Sequence, residues 1–123
     1  MNRLTQLTLV AVAALVLTVS TQAETKQTMA QGKVTINGHA VGTANVHLNG
    51  LSSVATLPGG HHVAVLLKNG YAVSAMAVDG KGHPIPTTVH TTVEEAVFFW
   101  VRLRITITLA DGTTVTVTIT VAI

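Results

Sequence analysis

The sequence predicts an all-β fold in which about seven short antiparallel strands pack as a sandwich. Its segments of Val, Ile and Thr alternate between apolar and polar residues and contain few helix formers. Between them stand Asn-Gly or Asp-Gly pairs, which supply the positive φ that tight hairpin turns require. Because each hairpin has one apolar face to bury, the chain must stack two sheets or close on itself, and we predict two stacked sheets. The five pairs are Asn37-Gly38, Asn49-Gly50, Asn69-Gly70, Asp79-Gly80 and Asp111-Gly112.

The N-terminal residues 1–23 have the three parts of a secretory signal peptide. Arg3 gives a basic start, residues 7–19 form an apolar run, and Ala23 places a small residue at the expected cleavage point. The alternative is a retained membrane anchor, but the run is interrupted by threonines and is shorter than the roughly 20 apolar residues that a bilayer requires. We therefore expect a signal peptide helix and export of a bacterial protein to the periplasm or the medium.

Composition limits what the exported part can be. Residues 24–123 carry six Lys or Arg against five Asp or Glu, without a basic stripe, so nucleic acid is not an expected partner. The absence of cysteine excludes disulfides, thiolate metal sites, a cysteine nucleophile and a lipidated cysteine. This length fits one domain. We predict a flexible segment over residues 24–31 and a β-sandwich domain over residues 32–123.

The C-terminal hairpin has a register that the sequence specifies. Apolar residues occupy the odd positions of 101–109 and of 115–121, with threonines or arginines between them. A two-residue loop would place every apolar side chain opposite a threonine, which the burial of one face forbids. A three-residue loop over residues 110–112, with Gly112 left-handed in a bulge, pairs Ile107 with Val115 and continues to Val101 with Val121.

The same argument predicts a second three-residue loop, Lys68-Asn69-Gly70, which matches odd positions with odd. Pro84 and Pro86 break the strand ladder and predict a connection between the sheets. The segment Glu94-Glu95-Ala96 is compatible with a single helical turn or with the start of the long strand that follows. Further strands are expected over residues 33–36, 41–48, 51–57 and 87–93.

Residues 32–48, which read GKVTINGHAVGTANVHL, resemble the opening of the carboxypeptidase regulatory-like and collagen-adhesin B-type modules. Residues 57–65, LPGGHHVAV, are similar to the later Leu-Pro-x-Gly-x-Tyr-x-Val motif of these families, with His61 or His62 in place of the tyrosine. The resemblance covers residues 32–75. It implies an Ig-like or prealbumin-like sandwich that serves as an accessory or adhesive module and has no catalytic residues.

Histidine is the only residue type that offers chemistry. Imidazole is a common ligand of zinc and copper, but no His-x-His or His-Glu-x-x-His spacing occurs. A nucleophile elbow is absent, and Glu94 and Glu95 would point to opposite faces of an extended strand. We predict neither enzymatic activity nor a cofactor or metal, and keep a histidine-based periplasmic metal binder as an alternative. The histidines are His39, His47, His61, His62, His83 and His90.

Four residues are candidates for partner binding: Phe98, Trp100, Arg102 and Arg104 fall on one face of the long strand. An aromatic and arginine row on a threonine-lined sheet can bind a glycan or an anionic partner by stacking and charge-assisted hydrogen bonds. The alternative is that the two aromatic residues cap the end of the core while the arginines are solvated.

Self-association is predicted through the last strand. Residues 113–123 alternate threonine with apolar residues and carry neither charge nor proline, and an exposed strand of this kind pairs readily with another chain. We therefore expect strand addition through residues 115–121. Together these features predict an exported, non-enzymatic module for binding, adhesion or assembly with a protein or glycan partner, with a secreted enzyme inhibitor as a further alternative.

Overall fold

A computed structural model describes residues 27–123 and confirms the all-β sandwich of two antiparallel sheets. The predicted signal peptide helix lies outside the described residues. Within residues 27–123 there is no helix that is long and apolar enough to cross a membrane. This part of the chain contains nine strands: β1 (Met29–Ile36), β2 (His39–His47), β3 (Gly50–Leu57), β4 (His61–Lys68), β5 (Tyr71–Val78), β6 (Pro84–Ile85), β7 (Thr87–Ala96), β8 (Trp100–Leu109) and β9 (Thr114–Ala122).

Two sequence-based predictions require correction, the number of strands and the start of the first strand. Residues 27–123 contain nine strands rather than about seven, partly because β6 is a two-residue strand beside prolines that gives no alternation to detect. Strand β1 begins at Met29, so residues 29–31 of the predicted flexible segment belong to the sheet. The burial of Ala30 against the core explains this, since only 8% of its surface is exposed.

The strands follow one another around the sandwich as a meander. The five-stranded sheet has the order β2-β1-β9-β8-β7, and the four-stranded sheet has the order β3-β4-β5-β6. Hydrogen-bonded neighbours are consecutive in the chain, except that β9 returns to pair with β1. An Ig domain instead uses Greek-key connections between its sheets. The sandwich architecture is thus as predicted, while the strand order in residues 27–123 is simpler than that of an Ig domain.

The β8–β9 hairpin has the predicted register. Ile107 pairs with Val115 and Val101 pairs with Val121, which places the apolar row of both strands on the core face. The N–H of Gly112 donates to the C=O of Leu109 at 2.9 Å, and Gly112 has a φ of 91°. The three-residue loop with a left-handed glycine is therefore confirmed.

The predicted loop Lys68-Asn69-Gly70 is wrong. Lys68 pairs with Tyr71, so the loop has two residues, Asn69 and Gly70, whose φ values of 53° and 85° are those of a type I′ turn. A bulge on β5 at Val73 then shifts the register by one residue. Because of the bulge, Ala72, Ala75 and Ala77 face the core, whereas Tyr71 and Val73 are exposed.

The prolines lie where the chain changes sheets, as predicted. Pro84 belongs to β6 in the four-stranded sheet, and Pro86 precedes β7 in the five-stranded sheet. At this edge the two sheets are joined by threonine hydroxyl groups: the N–H of Ala72 donates to Oγ1 of Thr91 at 2.9 Å, and Oγ1 of Thr87 donates to the C=O of Ala75 at 3.0 Å.

The core fills the space between the sheets. Apolar side chains from alternate positions of the long strands supply it, and the side chains of β8 and β9 lie at its centre. This burial is the main stabilising contribution in a chain without disulfides. The largest fully buried side chains are Leu103, Ile105, Ile107, Leu109, Ile119, Val46, Val63, Val65, Val115 and Val117.

Strand β9 is not a free edge, which corrects the basis of the predicted self-association. It lies between β1 and β8, and β1 pairs with it from Val115 to Thr118. Beyond this point the side chain of Gln27 takes the place of a neighbouring strand. Its Nε2 donates to the C=O of Thr120 at 3.3 Å, and its Oε1 accepts the N–H of Ala122 at 2.8 Å. Strand addition at β9 is therefore blocked within the domain.

We expect Gln27→Ala to expose this last part of the β9 edge. The variant loses the acceptor of the Ala122 N–H, so the Ala122 amide should exchange its hydrogen with solvent faster than in the wild type. The loss of stability should be about 1 kcal/mol or less, because the bonds are solvent-exposed. Amide exchange followed by NMR measures this, with Gln31→Ala on β1 as the control. Unchanged exchange at Ala122 would contradict the role given to Gln27.

Two aspartates in turns have pKa values shifted by hydrogen bonds. The N–H of His83 foremost, and that of Lys81, donate to Oδ1 of Asp79 and hold the pKa of its carboxyl below the ordinary value. At Asp111 the N–H of Thr113 donates to Oδ1 at 2.9 Å and lowers the pKa of that carboxyl in the same way. All three hydrogen bonds favour the charged form of the aspartate that accepts them.

The difference in Tm between the wild type and Asp111→Asn is expected to shrink as the pH falls from about 5 to about 2. A carboxyl whose pKa is lowered in the folded state stabilises the protein at pH values above the pKa that the same carboxyl has in the unfolded chain, which is about 3.9. That contribution is lost as the pH falls through the folded pKa. Asparagine keeps an acceptor oxygen but has no charge to lose. Thermal unfolding followed by circular dichroism tests this, and a pH-independent difference would contradict it.

Candidate binding site

The four residues predicted to bind a partner do not form one row. Trp100, Arg102 and Arg104 share the outer face of β8, and the guanidinium carbon of Arg102 lies 5.1 Å from the centre of the Trp100 ring. This distance is within the range of a cation–π contact. Phe98 precedes the strand and lies in the β7–β8 turn, so its predicted place on the strand face is wrong.

A bulge near the end of β7 explains why both arginines are paired. The register of β7 against β8 shifts between Val93 and Glu95, so Glu94 and Glu95 both reach the outer face. Arg102 donates from Nη1 to Glu95 Oε1 at 2.8 Å, and Arg104 donates from Nε to Glu94 Oε2 at 2.8 Å. The expectation that the two carboxylates point to opposite faces is therefore wrong, and the segment is strand rather than a helical turn.

Residues 97–100 form a tight turn with two phenylalanines at its corners, which we call the Phe-Phe turn. The N–H of Val97 donates to the C=O of Trp100 at 2.9 Å. Phe98 is 96% exposed and Phe99 is 66% exposed. Phe98 therefore does not cap the core, contrary to the alternative drawn from the sequence.

The Phe-Phe turn belongs to one end of the sandwich, which we call the aromatic end. The N–H of Ile123 donates to the C=O of Phe99 at 3.0 Å, so the last residues of the chain lie beside the turn. The Asn69-Gly70 turn lies at the same end, where the N–H of Gly70 donates to the C=O of Leu48 at 2.9 Å. The two turn aspartates with lowered pKa lie at the opposite end, after β5 and after β8.

A cleft of about 560 Å³ opens at the aromatic end. Its walls are mainly aliphatic, and its polar groups are side-chain amides and the phenol of Tyr71. Gly70, between the lining residues Asn69 and Tyr71, packs directly on Val121 and Leu103 without a side chain of its own. The residues that line the cleft are Gln27, Leu48, Asn49, Asn69, Tyr71, Val93, Ala96, Val101, Val121, Ala122 and Ile123.

The chemistry of the cleft is that of a binding site. Within the described chain, its lining residues include no Asp, Glu, His, Lys or Arg, so it offers no side chain for acid–base work at neutral pH. Tyr71 and Val93 are 45% and 48% exposed, and Ile123 is 78% exposed. These side chains form an apolar rim around the opening.

The histidines are distributed over both ends and both sheets. In residues 27–123, no group of three or more His, Asp or Glu side chains is placed to hold a metal ion. His83 Nδ1 lies 3.3 Å from Asp79 Oδ2, and His62 Nδ1 lies 3.3 Å from the hydroxyl of Thr56. These contacts are local to turns and to neighbouring strands, so the described residues provide no metal centre for the alternative function.

The chain matches no family model, and comparisons with curated proteins and with solved structures find no match. The resemblance to carboxypeptidase regulatory-like and collagen-adhesin B-type modules therefore stays a prediction.

The cleft is not predicted by the sequence, which indicates only part of the aromatic end. The cleft is formed by residues before β1, by the β2–β3 and β4–β5 connections and by the ends of β7, β8 and β9, and no sequence motif joins these segments. One signal was available: residues 97–100 read Val-Phe-Phe-Trp and contain three of the four aromatic residues of types Phe, Trp and Tyr in the chain.

Proposed function

We propose that the chain is an exported, non-enzymatic β-sandwich module that binds a partner through the cleft at its aromatic end, in the periplasm or at the cell surface. The observation that carries the proposal is the apolar cleft of about 560 Å³. This volume falls in the range of about 300–1,000 Å³ that is usual for ligand sites.

The lining of the cleft indicates the class of ligand. Aliphatic walls favour an elongated apolar group, such as an aliphatic chain or an apolar side chain of a partner protein. The amides of Gln27, Asn49 and Asn69 can bond one polar group at the mouth. A charged ligand group would be desolvated there without a counter-charge from the lining side chains, and is therefore disfavoured.

Titration of the ¹⁵N-labelled protein with 1-decanol tests the cleft. We expect saturable shifts of the amide signals of Tyr71, Val93 and Ile123. Ala96→Trp should abolish them, because Ala96 lines the cleft and an indole would fill it. Ala110→Trp is the matched control, since Ala110 is an exposed alanine in the β8–β9 loop at the opposite end. Absence of saturable shifts, or their persistence in Ala96→Trp, would overturn the assignment of the cleft.

Export is tested separately. Expression of the full chain in a bacterial host should yield a soluble product in the periplasm or the medium, with a mass that corresponds to an N-terminus at Glu24. Recovery of the uncleaved chain in the cytoplasm would remove the exported part of the proposal without affecting the cleft.

A further inference from the structure

The Phe-Phe turn breaks the turn chemistry that the rest of the chain follows. The other hairpin turns within residues 27–123 each contain a glycine with positive φ, at Gly38, Gly60, Gly70, Gly82 and Gly112. Gly, Asn and Asp are favoured at such positions because they tolerate the backbone conformation and are compatible with solvent. Neither Phe98 nor Phe99 has a positive φ, so the backbone accepts phenylalanine, but the two rings are exposed where polar residues are usual. Large apolar side chains exposed side by side are typical of an interaction site.

The surroundings of the turn extend its apolar surface. Phe99 lies beside Ile123, and the rim formed by Tyr71 and Val93 borders the same end. The nearest charged side chains on β8 are neutralised, since Arg102 is bonded to Glu95 and lies over the ring of Trp100. An apolar medium can therefore contact the Phe-Phe turn without desolvating this arginine, while Lys68, exposed at the end of β4, keeps its ammonium group in water or among the headgroups.

The N-terminal part of the chain leaves from the same end. Gln27 lines the cleft and bonds to the last residues of β9. Only eight residue steps separate Gln27 from Val19, the last residue of the apolar run of residues 7–19, so the connecting chain spans at most about 28 Å. Before any cleavage, a membrane that holds this run is thus within reach of the Phe-Phe turn.

We propose that the Phe-Phe turn inserts into the interfacial region of a lipid bilayer and orients the module with its aromatic end towards the membrane. Phenylalanine favours this region because its ring can be buried at the boundary between headgroups and acyl chains. Phe98, in the turn itself, is almost fully exposed before binding. This proposal goes beyond the binding function of the cleft and does not depend on which ligand the cleft holds.

The single tryptophan gives a direct test. Trp100 is adjacent to the turn, so its emission reports on insertion. We expect the emission of the product that begins at Glu24, which lacks the apolar run of residues 7–19, to be quenched by phosphatidylcholine vesicles with brominated acyl chains and not by the unbrominated lipid. Phe98→Ser should reduce the partition coefficient obtained from a lipid titration of this quenching about tenfold, which corresponds to the partial burial of one ring. Phe99→Ser should have a smaller effect, because Phe99 is already 34% covered within the protein, being 66% exposed.

The control is a pair of exposed apolar residues away from the aromatic end. Val41 and Met76 are 56% and 51% exposed, and Val41→Ser combined with Met76→Ser should leave the quenching unchanged. Far-UV circular dichroism confirms that each variant is folded. The proposal is overturned if brominated lipid does not quench the wild type. It is also overturned if brominated lipid quenches Phe98→Ser and the wild type equally. The quenching test can fail while decanol still binds in the cleft, so the two proposals are separable.

Discussion

Gly70→Ala is expected to destabilise the protein by about 3–4 kcal/mol, whereas Gly38→Ala costs only about 1–2 kcal/mol. The two glycines occupy the same position of equivalent Asn-Gly turns and share a φ of 85°. A methyl group at Gly38 meets nothing within 4 Å, but at Gly70 it would lie 3.0 Å from Val121 Cγ2 and 3.3 Å from Leu103 Cδ1. Backbone strain is common to both variants, so the difference between their losses of stability measures the packing of Gly70 on Val121 and Leu103.

Urea denaturation of the two variants measures the difference. A shift of the midpoint with an unchanged slope would show that stability alone has changed. Equal losses for Gly38→Ala and Gly70→Ala would contradict the close packing of Gly70 on the core. A larger loss for Gly38→Ala would contradict the structure of this turn.

Gly32→Ala is the second substitution with a large expected effect, about 2–3 kcal/mol. Gly32 lies on β1 without positive φ, so no backbone strain is involved. An added Cβ would lie 2.6 Å from Val117 Cγ1 and 2.9 Å from Ile119 Cγ2. Both side chains are fully buried on β9 and have little freedom to move. The methyl group therefore has to push β1 away from β9.

A second substitution tests this explanation. Val117→Ala removes the closest methyl group and by itself should cost about 2 kcal/mol through the cavity it leaves. In the double variant Gly32→Ala with Val117→Ala, each change offsets part of the other. The combined loss should therefore be smaller than the sum of the single losses by about 1–2 kcal/mol. Strict additivity would mean that the two residues are not in contact.

The parts of the fold that could be predicted are those in which the burial of apolar side chains is compatible with only one strand register. In the β8–β9 hairpin, a shift of one residue would turn Ile105 and Val117 to solvent, so alternation alone determines the register. The Asn69-Gly70 hairpin has two solutions that match odd positions of β4 with odd positions of β5 beyond the turn, a longer loop or a tight turn followed by a bulge. Alternation does not distinguish them, and the structure has the bulge at Val73, which places Ala72 rather than Tyr71 and Val73 against the core.

The candidate site was less predictable for a related reason. The outer-face position of Glu94 depends on a second bulge, and the pairing of each glutamate with one arginine follows from that bulge. Phe98 was assigned to the strand because Val-Phe-Phe-Trp reads as continuous β sequence, although its two central residues form a turn. The cleft forms where segments that are distant in the sequence pack together, and no local sequence pattern predicts this packing.

The pairing of β1 with β9 determines when the domain can fold. The first strand acquires its second neighbour only from β9, so the five-stranded sheet cannot be completed before residues 114–122 have been made. Until then, only the hairpins between adjacent strands can form, and an isolated hairpin is marginally stable. The contact joins residues about 80 positions apart, such as Lys33 and Thr118, which makes its formation slow. A chain built in this way gains the full stability of the sandwich only after β9 has been made and has paired with β1.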